Sequence, residues 1–159
     1  GAVEGGRGPA GAGAVSDDNR LKTAFTWPVR VYWEDTDAGG IVFYANYLKF
    51  FERARTEWLR NLGVEQQKLR DEAGGMFVVT QAQLNYLQPA RLDDVIEVTA
   101  VLQSAGRASI TIAQQAFLKP VSSNEAPQLL CEGSIRVGWV DSTTMRPARI
   151  PNSIVEKLS

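Results

Sequence analysis

One long amphipathic helix is the strongest structural signal in the sequence. Across residues 45–62, large apolar side chains recur at steps of three and four residues, which gives a single apolar stripe. Gly63 follows at the position where a left-handed C-terminal cap is expected. The predicted stripe consists of Tyr47, Leu48, Phe51, Ala54, Trp58, Leu59 and Leu62. A helix with one apolar face must bury it, so the rest of the chain has to supply a covering surface.

The segments around this helix have the alternation that is typical of strands. One strand is predicted before the helix, over residues 25–33, and a short second helix is predicted at residues 64–72. Four further strands are predicted over residues 77–87, 95–102, 109–118 and 129–140. Within the first of these four, the alternation predicts one face that consists of Val78, Thr80, Ala82, Leu84 and Tyr86. Short links make the four strands antiparallel neighbours, so the predicted class is α+β, with a five-stranded antiparallel sheet wrapped around one long helix.

Length and composition predict the domain organisation. The 159 residues suffice for one domain, and we place it at residues 23–159. Residues 1–22 are rich in Gly and Ala and carry few large apolar side chains, so we predict a disordered tail.

Charge and hydropathy exclude some partners and favour a cytoplasmic location. A formal net charge of -1 argues against nucleic acid as a partner. No apolar run approaches the roughly 20 residues of a membrane span, and no secretory signal is visible, so we expect no transmembrane segment. A single cysteine, Cys131, suits a reducing compartment. We therefore expect a cytoplasmic protein.

The chain contains no histidine, which restricts its chemistry. Ser-His-Asp and Cys-His catalysis are excluded, as are zinc sites with His ligands. Because Cys131 is the single cysteine, a thiolate zinc site is excluded too. We predict no metal and no cofactor. Acid–base chemistry near neutral pH has to come from carboxylates, Tyr, Lys or backbone groups.

Residues 34–47 carry the densest polar cluster, between the first strand and the long helix. The start of a helix offers unpaired N–H groups and the positive end of the helix dipole, and glycines let a ligand approach the backbone. A carboxylate beside such donors can attack a carbonyl, or activate water against it, while the N–H groups hold the carbonyl oxygen. Thioesters suit this arrangement because their thiol leaves with little acid assistance. Acidic residues before a helix are also common as simple caps, and this alternative stays open.

Three segments resemble one known family. Residues 32–47 (YWEDTDAGGIVFYANY), 51–57 (FERARTE) and 89–94 (PARLDD) are similar to the YbgC family of Tol-Pal-associated acyl-CoA thioesterases, which is close to 4-hydroxybenzoyl-CoA thioesterase. The resemblance extends from about residue 25 to the C-terminus. It implies the hot-dog fold, acyl-CoA substrates and a homotetramer built as a dimer of dimers. An acyl carrier protein is a further candidate partner.

The resemblance also implies roles for individual residues. Asp37 matches the family's catalytic carboxylate, as nucleophile or general base. Tyr44 is the second predicted catalytic residue, and it stands where most YbgC proteins have His but the hydroxybenzoyl-CoA relative has Tyr. Backbone amides around residues 43–45 would hold the thioester carbonyl. The predicted substrate-binding residues are Gly40, Ile41, Val42, Phe43, Ala45 and Arg91, and further cations that could meet the CoA phosphates are Arg107 and Lys119.

Two alternatives to a general acyl-CoA thioesterase follow from the same residues. Tyr44 favours an aromatic, hydroxybenzoyl-type acyl-CoA as substrate. A member of a different class, a non-catalytic module that binds acyl-CoA or an acyl carrier protein, would show affinity for the thioester without releasing its thiol. The sequence also predicts an oligomer, because one sheet on one helix leaves edge strands open.

Overall fold

Five antiparallel strands form one sheet in the computed structural model, which describes residues 24–120, 122 and 124–158. The strand order is β1-β3-β4-β5-β2. The predicted α+β class, with its five strands and one long helix, is confirmed. The strands are β1 (Phe25–Arg30), β2 (Gly75–Tyr86), β3 (Val95–Ala105), β4 (Ser109–Leu118) and β5 (Gln128–Asp141). The helices are α1 (Asn46–Asn61), α2 (Gln66–Lys68), which continues into a π-helical turn (Leu69–Ala73), and α3 (Asn152–Leu158).

Helix α1 packs on one face of the sheet and contacts β1 and β3. Its buried apolar side chains lie at the spacing of one helical face, namely Tyr47, Phe50, Phe51, Ala54, Trp58 and Leu59. This differs from the predicted stripe at two positions. Phe50 is fully buried although it was not assigned to the stripe, and Leu48 is 43% exposed because it lies off the buried face. The sheet contributes Ile96, Val98, Ile110, Ile112, Ile135 and Val137 to the same core.

Strand β2 forms one edge of the sheet and pairs with β5 alone. The prediction that the four later strands are all neighbours in chain order is therefore wrong for β2 and β3, because β1 occupies the edge of β3, whereas β3, β4 and β5 are antiparallel neighbours as predicted. The register shifts between Val79 and Gln81, where a bulge interrupts the alternation. The predicted face is therefore wrong in its first half, because Phe77 and Val79 lie opposite the buried Trp139 and Val137. Beyond the bulge the prediction holds, since Ala82, Leu84 and Tyr86 lie opposite Ile135, Gly133 and Cys131.

The two ends of the fold contain features that the sequence did not reveal. Strand β1 ends at Arg30, and Trp33–Asp35 form a 3-10 turn in which Trp33 is 77% exposed. Helix α3 was not predicted. It buries Ile154 and Leu158, and the Lys157 Nζ donates a hydrogen bond of 3.2 Å to the carbonyl oxygen of Gly63, just beyond α1.

The tail predicted at residues 1–22 lies outside the described residues. In the described part of the chain, no helix is long and apolar enough to cross a membrane.

Candidate active site

Asp35 anchors the loop that carries the candidate catalytic residue. Its side chain is buried, and Oδ2 accepts a hydrogen bond of 2.9 Å from the backbone N–H of Tyr32. Its carbonyl oxygen accepts two more, from the Phe43 N–H at 3.0 Å and from the Asn46 Nδ2 at 2.7 Å. These bonds tie the end of the 3-10 turn to the start of α1. Asp35 therefore supports the loop.

The loop reverses direction over residues 37–41. The Asp37 N–H donates to the carbonyl oxygen of Ile41 at 2.9 Å, and the Gly40 N–H donates to that of Asp37 at 3.0 Å. Thr36 and Val42 form a bridge on either side of the reversal. Gly40 has a φ of 79°, in the left-handed region that glycine adopts without strain. The glycine is therefore required by the turn itself.

The Asp37 carboxylate is held at one oxygen and left open at the other. Its Oδ1 accepts hydrogen bonds from the N–H groups of Gly39 at 2.8 Å and Ile41 at 3.4 Å. No partner of its Oδ2 is found among the described residues, and the side chain is exposed. An oriented carboxylate with one free oxygen can act as a nucleophile or as a general base.

Helix α1 begins without a side-chain cap. Its N-cap residue is Ala45, no side chain bonds to its first N–H groups, and its first turn contains no acidic residue. Asp37 is therefore not a cap of α1, because its Oδ1 bonds within its own loop. Among the described residues, no side-chain hydrogen bond caps the positive end of the helix dipole there.

Two backbone N–H groups are free at this helix start. The N–H groups of Asn46, Tyr47 and Leu48 donate to the carbonyl oxygens three residues earlier. Those of Tyr44 and Ala45 have no hydrogen-bond partner in the part of the chain that the structure describes.

The amides of Val42 and Phe43 are already occupied. The Val42 N–H donates to the carbonyl oxygen of Ala90 at 2.8 Å, and the Phe43 N–H donates to that of Asp35. The donors available to a ligand near residues 43–45 are thus narrowed to the amides of Tyr44 and Ala45.

Arg91 lies beside the loop, whereas Arg107 does not. Ile41 forms a backbone bridge with Arg91, whose side chain is exposed and whose N–H donates to the Asp94 Oδ2 at 2.8 Å. Lys119 lies at the same end of the sheet, since its N–H donates to Val95 O at the start of β3. Arg107 lies in the turn at the other end of β3, about 30 Å away along the strand. Within one chain, Arg107 cannot meet a ligand that Arg91 holds.

Three tyrosine rings meet next to the loop. The Tyr44 and Tyr86 centroids are 5.6 Å apart, and those of Tyr86 and Tyr47 are 5.9 Å apart. Tyr44 is 60% exposed and Tyr86 46% exposed, whereas Tyr47 is buried. Tyr47 and Tyr86 were not predicted as site residues. The sequence placed Tyr47 on the helix stripe and Tyr86 on a strand face, but it carried no signal that the two positions would meet.

Burial controls the titration of the groups around these rings. It raises the pKa of the Tyr47 hydroxyl to about 12, with a smaller contribution from the neighbouring Cys131. It raises the pKa of Tyr86 as well, and it raises the pKa of the Cys131 thiol to about 12. These groups therefore stay protonated at neutral pH. Among the described residues, no three acidic or thiol side chains lie close enough together to hold a metal ion.

The sequence of this chain is similar to that of one family of known proteins over most of its length. The model of the thioesterase-like superfamily matches residues 31–158. The acyl-CoA thioester hydrolase YbgC of Escherichia coli O6:H1 is 44% identical over 133 residues, which cover 84% of this chain and 94% of that protein. The acyl-CoA thioesterase YbgC of Haemophilus influenzae is 39% identical over 134 residues, which cover 84% of this chain and 93% of that one.

Solved structures show the same fold. A hypothetical protein from Aquifex aeolicus superposes with a TM-score of 0.75 at 30% identity, covering 85% of this chain and 99% of that one. A mutant 4-hydroxybenzoyl CoA thioesterase in complex with 4-hydroxybenzoyl CoA superposes with a TM-score of 0.79. Its 18% identity supports the shared hot-dog fold alone, over 86% of this chain and 99% of that one. The chain therefore belongs to the thioesterase-like superfamily and, within it, to the YbgC family.

Proposed function

We propose that this protein hydrolyses acyl-CoA thioesters to a free acid and CoA, with Asp37 as the catalytic carboxylate. One observation carries the proposal: a single loop presents the free Oδ2 of Asp37 together with the free N–H groups of Tyr44 and Ala45. A carboxylate and a pair of amide donors are what acyl transfer needs. The names of the YbgC relatives, which are acyl-CoA thioester hydrolases, support the same reaction.

In the proposed mechanism, the amides of Tyr44 and Ala45 hold the thioester carbonyl oxygen. Negative charge develops on this oxygen, and both the amides and the positive end of α1 stabilise it. Tyr44 thus contributes through its backbone, and its exposed ring lines the acyl side of the site. Gly40, Ile41, Val42 and Phe43 shape the loop, and Arg91, which is exposed beside the loop, is the proposed cation for the CoA phosphates.

Two routes are open to the Asp37 carboxylate. As a nucleophile, it forms a bond to the carbonyl carbon, the C–S bond breaks, the thiolate of CoA leaves, and water then hydrolyses the mixed anhydride. As a general base, it takes a proton from the water that attacks. The thiol has a pKa of about 8.5 and leaves without a strong acid. Neither route requires a histidine.

Isotope labelling separates the two routes. In a single turnover in oxygen-18 water, the nucleophilic route transfers solvent oxygen into the Asp37 carboxylate when the anhydride is cleaved at the aspartyl carbon. Mass spectrometry of the peptide that contains Asp37 detects this label. Label in Asp37 would exclude the simple general-base route.

A second copy of the chain is proposed to complete the site. Strand β2 is an edge strand whose face toward α1 is only partly covered, with Val79 53% exposed and Tyr86 46% exposed. Edge pairing of two such strands would bury these side chains and would give hydrogen-bond partners to the unpaired backbone N–H and C=O groups of the β2 edge. We propose a dimer, assembled further into a dimer of dimers, that works in the cytoplasm. An acyl carrier protein, which bears the same thioester linkage, is the second proposed acyl donor.

Release of free thiol tests the proposal. The wild-type protein is assayed with short-chain, long-chain and aromatic acyl-CoAs, and both thiol and free acid are quantified. We expect stoichiometric thiol and acid from at least one class. The exposed ring of Tyr44 favours aromatic acyl groups as a second candidate class of substrate. If the protein binds acyl-CoA measurably but releases no thiol from any substrate, the proposed enzyme activity is wrong and the protein is a non-catalytic binding module.

A further inference from the structure

The two halves of the candidate site lie on different segments of the chain. The carboxylate belongs to Asp37 in the loop, and the available amides belong to Tyr44 and Ala45 at the start of α1. The segment between them includes Gly39 and Gly40, and glycine is the residue with the greatest conformational freedom. The covalent connection alone therefore does not fix the distance between the carboxylate and the amides.

A side chain of α1 spans the gap between these two segments. The Asn46 Nδ2 donates a hydrogen bond of 2.7 Å to the carbonyl oxygen of Asp35. Asn46 directly follows Ala45, whose amide is available to a ligand. Asp35 lies two residues before Asp37, so this bond joins the amide side of the site to the carboxylate side. The same carbonyl oxygen accepts the Phe43 N–H at 3.0 Å, so both of its lone pairs are used.

The hydrogen bond of Asn46 is not a helix cap. An asparagine that caps a helix accepts a bond through its Oδ1 from a backbone N–H of the first turn. Asn46 is instead the first residue of α1, one position after the N-cap, and it donates through Nδ2 to a residue eleven positions earlier. The side chain therefore holds the loop against the helix.

The acceptor of this bond is fixed in place, whereas Asp37 is not held by the helix. Asp35 is 3% exposed, and its Oδ2 accepts the Tyr32 N–H at 2.9 Å. The Asp37 side chain is exposed, and within the described part of the chain its hydrogen bonds stay inside its own turn. The position of Asp37 relative to α1 therefore depends on the links that its neighbours make.

We propose that Asn46 is a positioning residue, whose side-chain amide holds the Asp37 carboxylate at its working distance from the amides of Tyr44 and Ala45. This inference rests on the proposed function, because it concerns the reaction at that site. A displacement of about 1 Å within an active site can lower the rate by about 100-fold. The amides that hold the thioester carbonyl stay part of the helix start when the bond is lost, so the loss should appear in kcat and not in KM.

Steady-state thiol release by Asn46→Ala tests this role. Alanine removes the donor and is the residue best tolerated in helices, so the variant should fold. We expect kcat to fall by about 10- to 100-fold, while KM changes by less than about threefold. Asn61→Ala makes the same substitution at the exposed last residue of α1 and should retain the wild-type kcat. If Asn46→Ala does not fold, Asn46→Asp is measured with the same expected loss, since it keeps the size, removes the donor and adds a favourable charge at the helix start.

A double-mutant cycle with Asp37→Asn separates positioning from a general structural role. If Asn46 acts through the carboxylate, Asn46→Ala should lower the residual kcat of the Asp37→Asn variant by less than about twofold. A merely structural role would lower kcat by the same factor in both backgrounds. Equal factors, or a wild-type kcat in Asn46→Ala, would overturn the inference while leaving the proposed function intact. Absence of thiol release by the wild-type protein would overturn both.

Discussion

At the scale of single residues, hydrogen bonding decides what each polar side chain can do. Asp35 and Asp37 are two residues apart, yet Asp35 is buried with its Oδ2 and its carbonyl oxygen bonded to the protein, whereas Asp37 is exposed with its Oδ2 open. Only the exposed carboxylate is accessible to a ligand. Loop geometry, rather than residue type, therefore distinguishes the structural carboxylate from the proposed catalytic one.

Gln114 supplies hydrogen-bond partners to two buried groups, and its replacement would leave them without these partners. Its Oε1 accepts a hydrogen bond of 2.9 Å from the buried Arg55 Nη1, and its Nε2 donates to the carbonyl oxygen of Phe51 at 3.0 Å. Gln114→Leu should lower the free energy of unfolding in urea by about 2–4 kcal/mol, since it leaves a buried cation unpaired. Gln115→Leu, on the partly exposed face, is the control. Equal losses in the two variants would contradict this account.

The Cys131 thiol predicts a pH dependence of stability. Because its pKa is raised to about 12 in the folded chain and is about 8.5 when unfolded, its contribution is complete below pH 8.5 and is lost as the pH rises toward 12. Removing it by Cys131→Ala should therefore cost less free energy of unfolding at pH 10.5 than at pH 7. Urea titrations at both pH values test this. An equal cost at the two values would argue against the raised pKa.

At the scale of elements, close packing between strands explains one glycine. A Cβ on Gly133 would lie 2.3 Å from the Leu84 Cδ2 and 2.4 Å from the carbonyl oxygen of Gln83. Gly133→Ala should destabilise the protein by roughly 1–3 kcal/mol, because β2 and β5 would have to separate. At Gly106 the nearest atom would be 3.5 Å away, so Gly106→Ala should change stability by less than about 0.5 kcal/mol. Thermal or urea unfolding measures the stability of both variants. Equal losses of stability in the Gly133 and Gly106 variants would contradict the close-packing explanation.

The elements also show what periodicity can and cannot predict. The long helix and all five strands were predicted to within three residues at each end, because each has an apolar pattern long enough to recognise. The face of β2 was wrong before its bulge, since one extra residue inverts the alternation without any mark in the local sequence. Helix α3 was missed because seven residues with two buried side chains give too short a pattern.

The candidate site was predictable in part. The acidic, glycine-bearing loop and its family resemblance indicated Asp37, Gly40 and Tyr44. Local sequence cannot give hydrogen-bond partners, so the engaged amide of Phe43 and the free amides of Tyr44 and Ala45 emerged only from the fold. The same holds for Tyr47 and Tyr86, which are 39 positions apart and meet because α1 lies beside the end of β2.

At the scale of the whole molecule, the exposed edge of β2 predicts assembly. Val79→Lys should shift the protein from a dimer or larger oligomer toward the monomer, because it adds a charge to the proposed contact. Light scattering with size-exclusion chromatography measures the mass. Met145→Lys, at a side chain that is equally exposed at 53%, is the matched control and should leave the oligomer intact. An unchanged mass in the Val79 variant would place the interface elsewhere.

Asp37→Asn gives the most direct test of the central claim, that Asp37 catalyses thioester hydrolysis. Asparagine keeps the size and the Oδ1 contacts of the loop but removes the charged oxygen. We predict that kcat/KM falls by about three or more powers of ten, near 4 kcal/mol of barrier, with the thermal stability retained. Asp71→Asn makes the same change at an exposed position in the turn after α2 and should retain full activity. A fall of less than about tenfold in the folded Asp37→Asn variant would contradict the account.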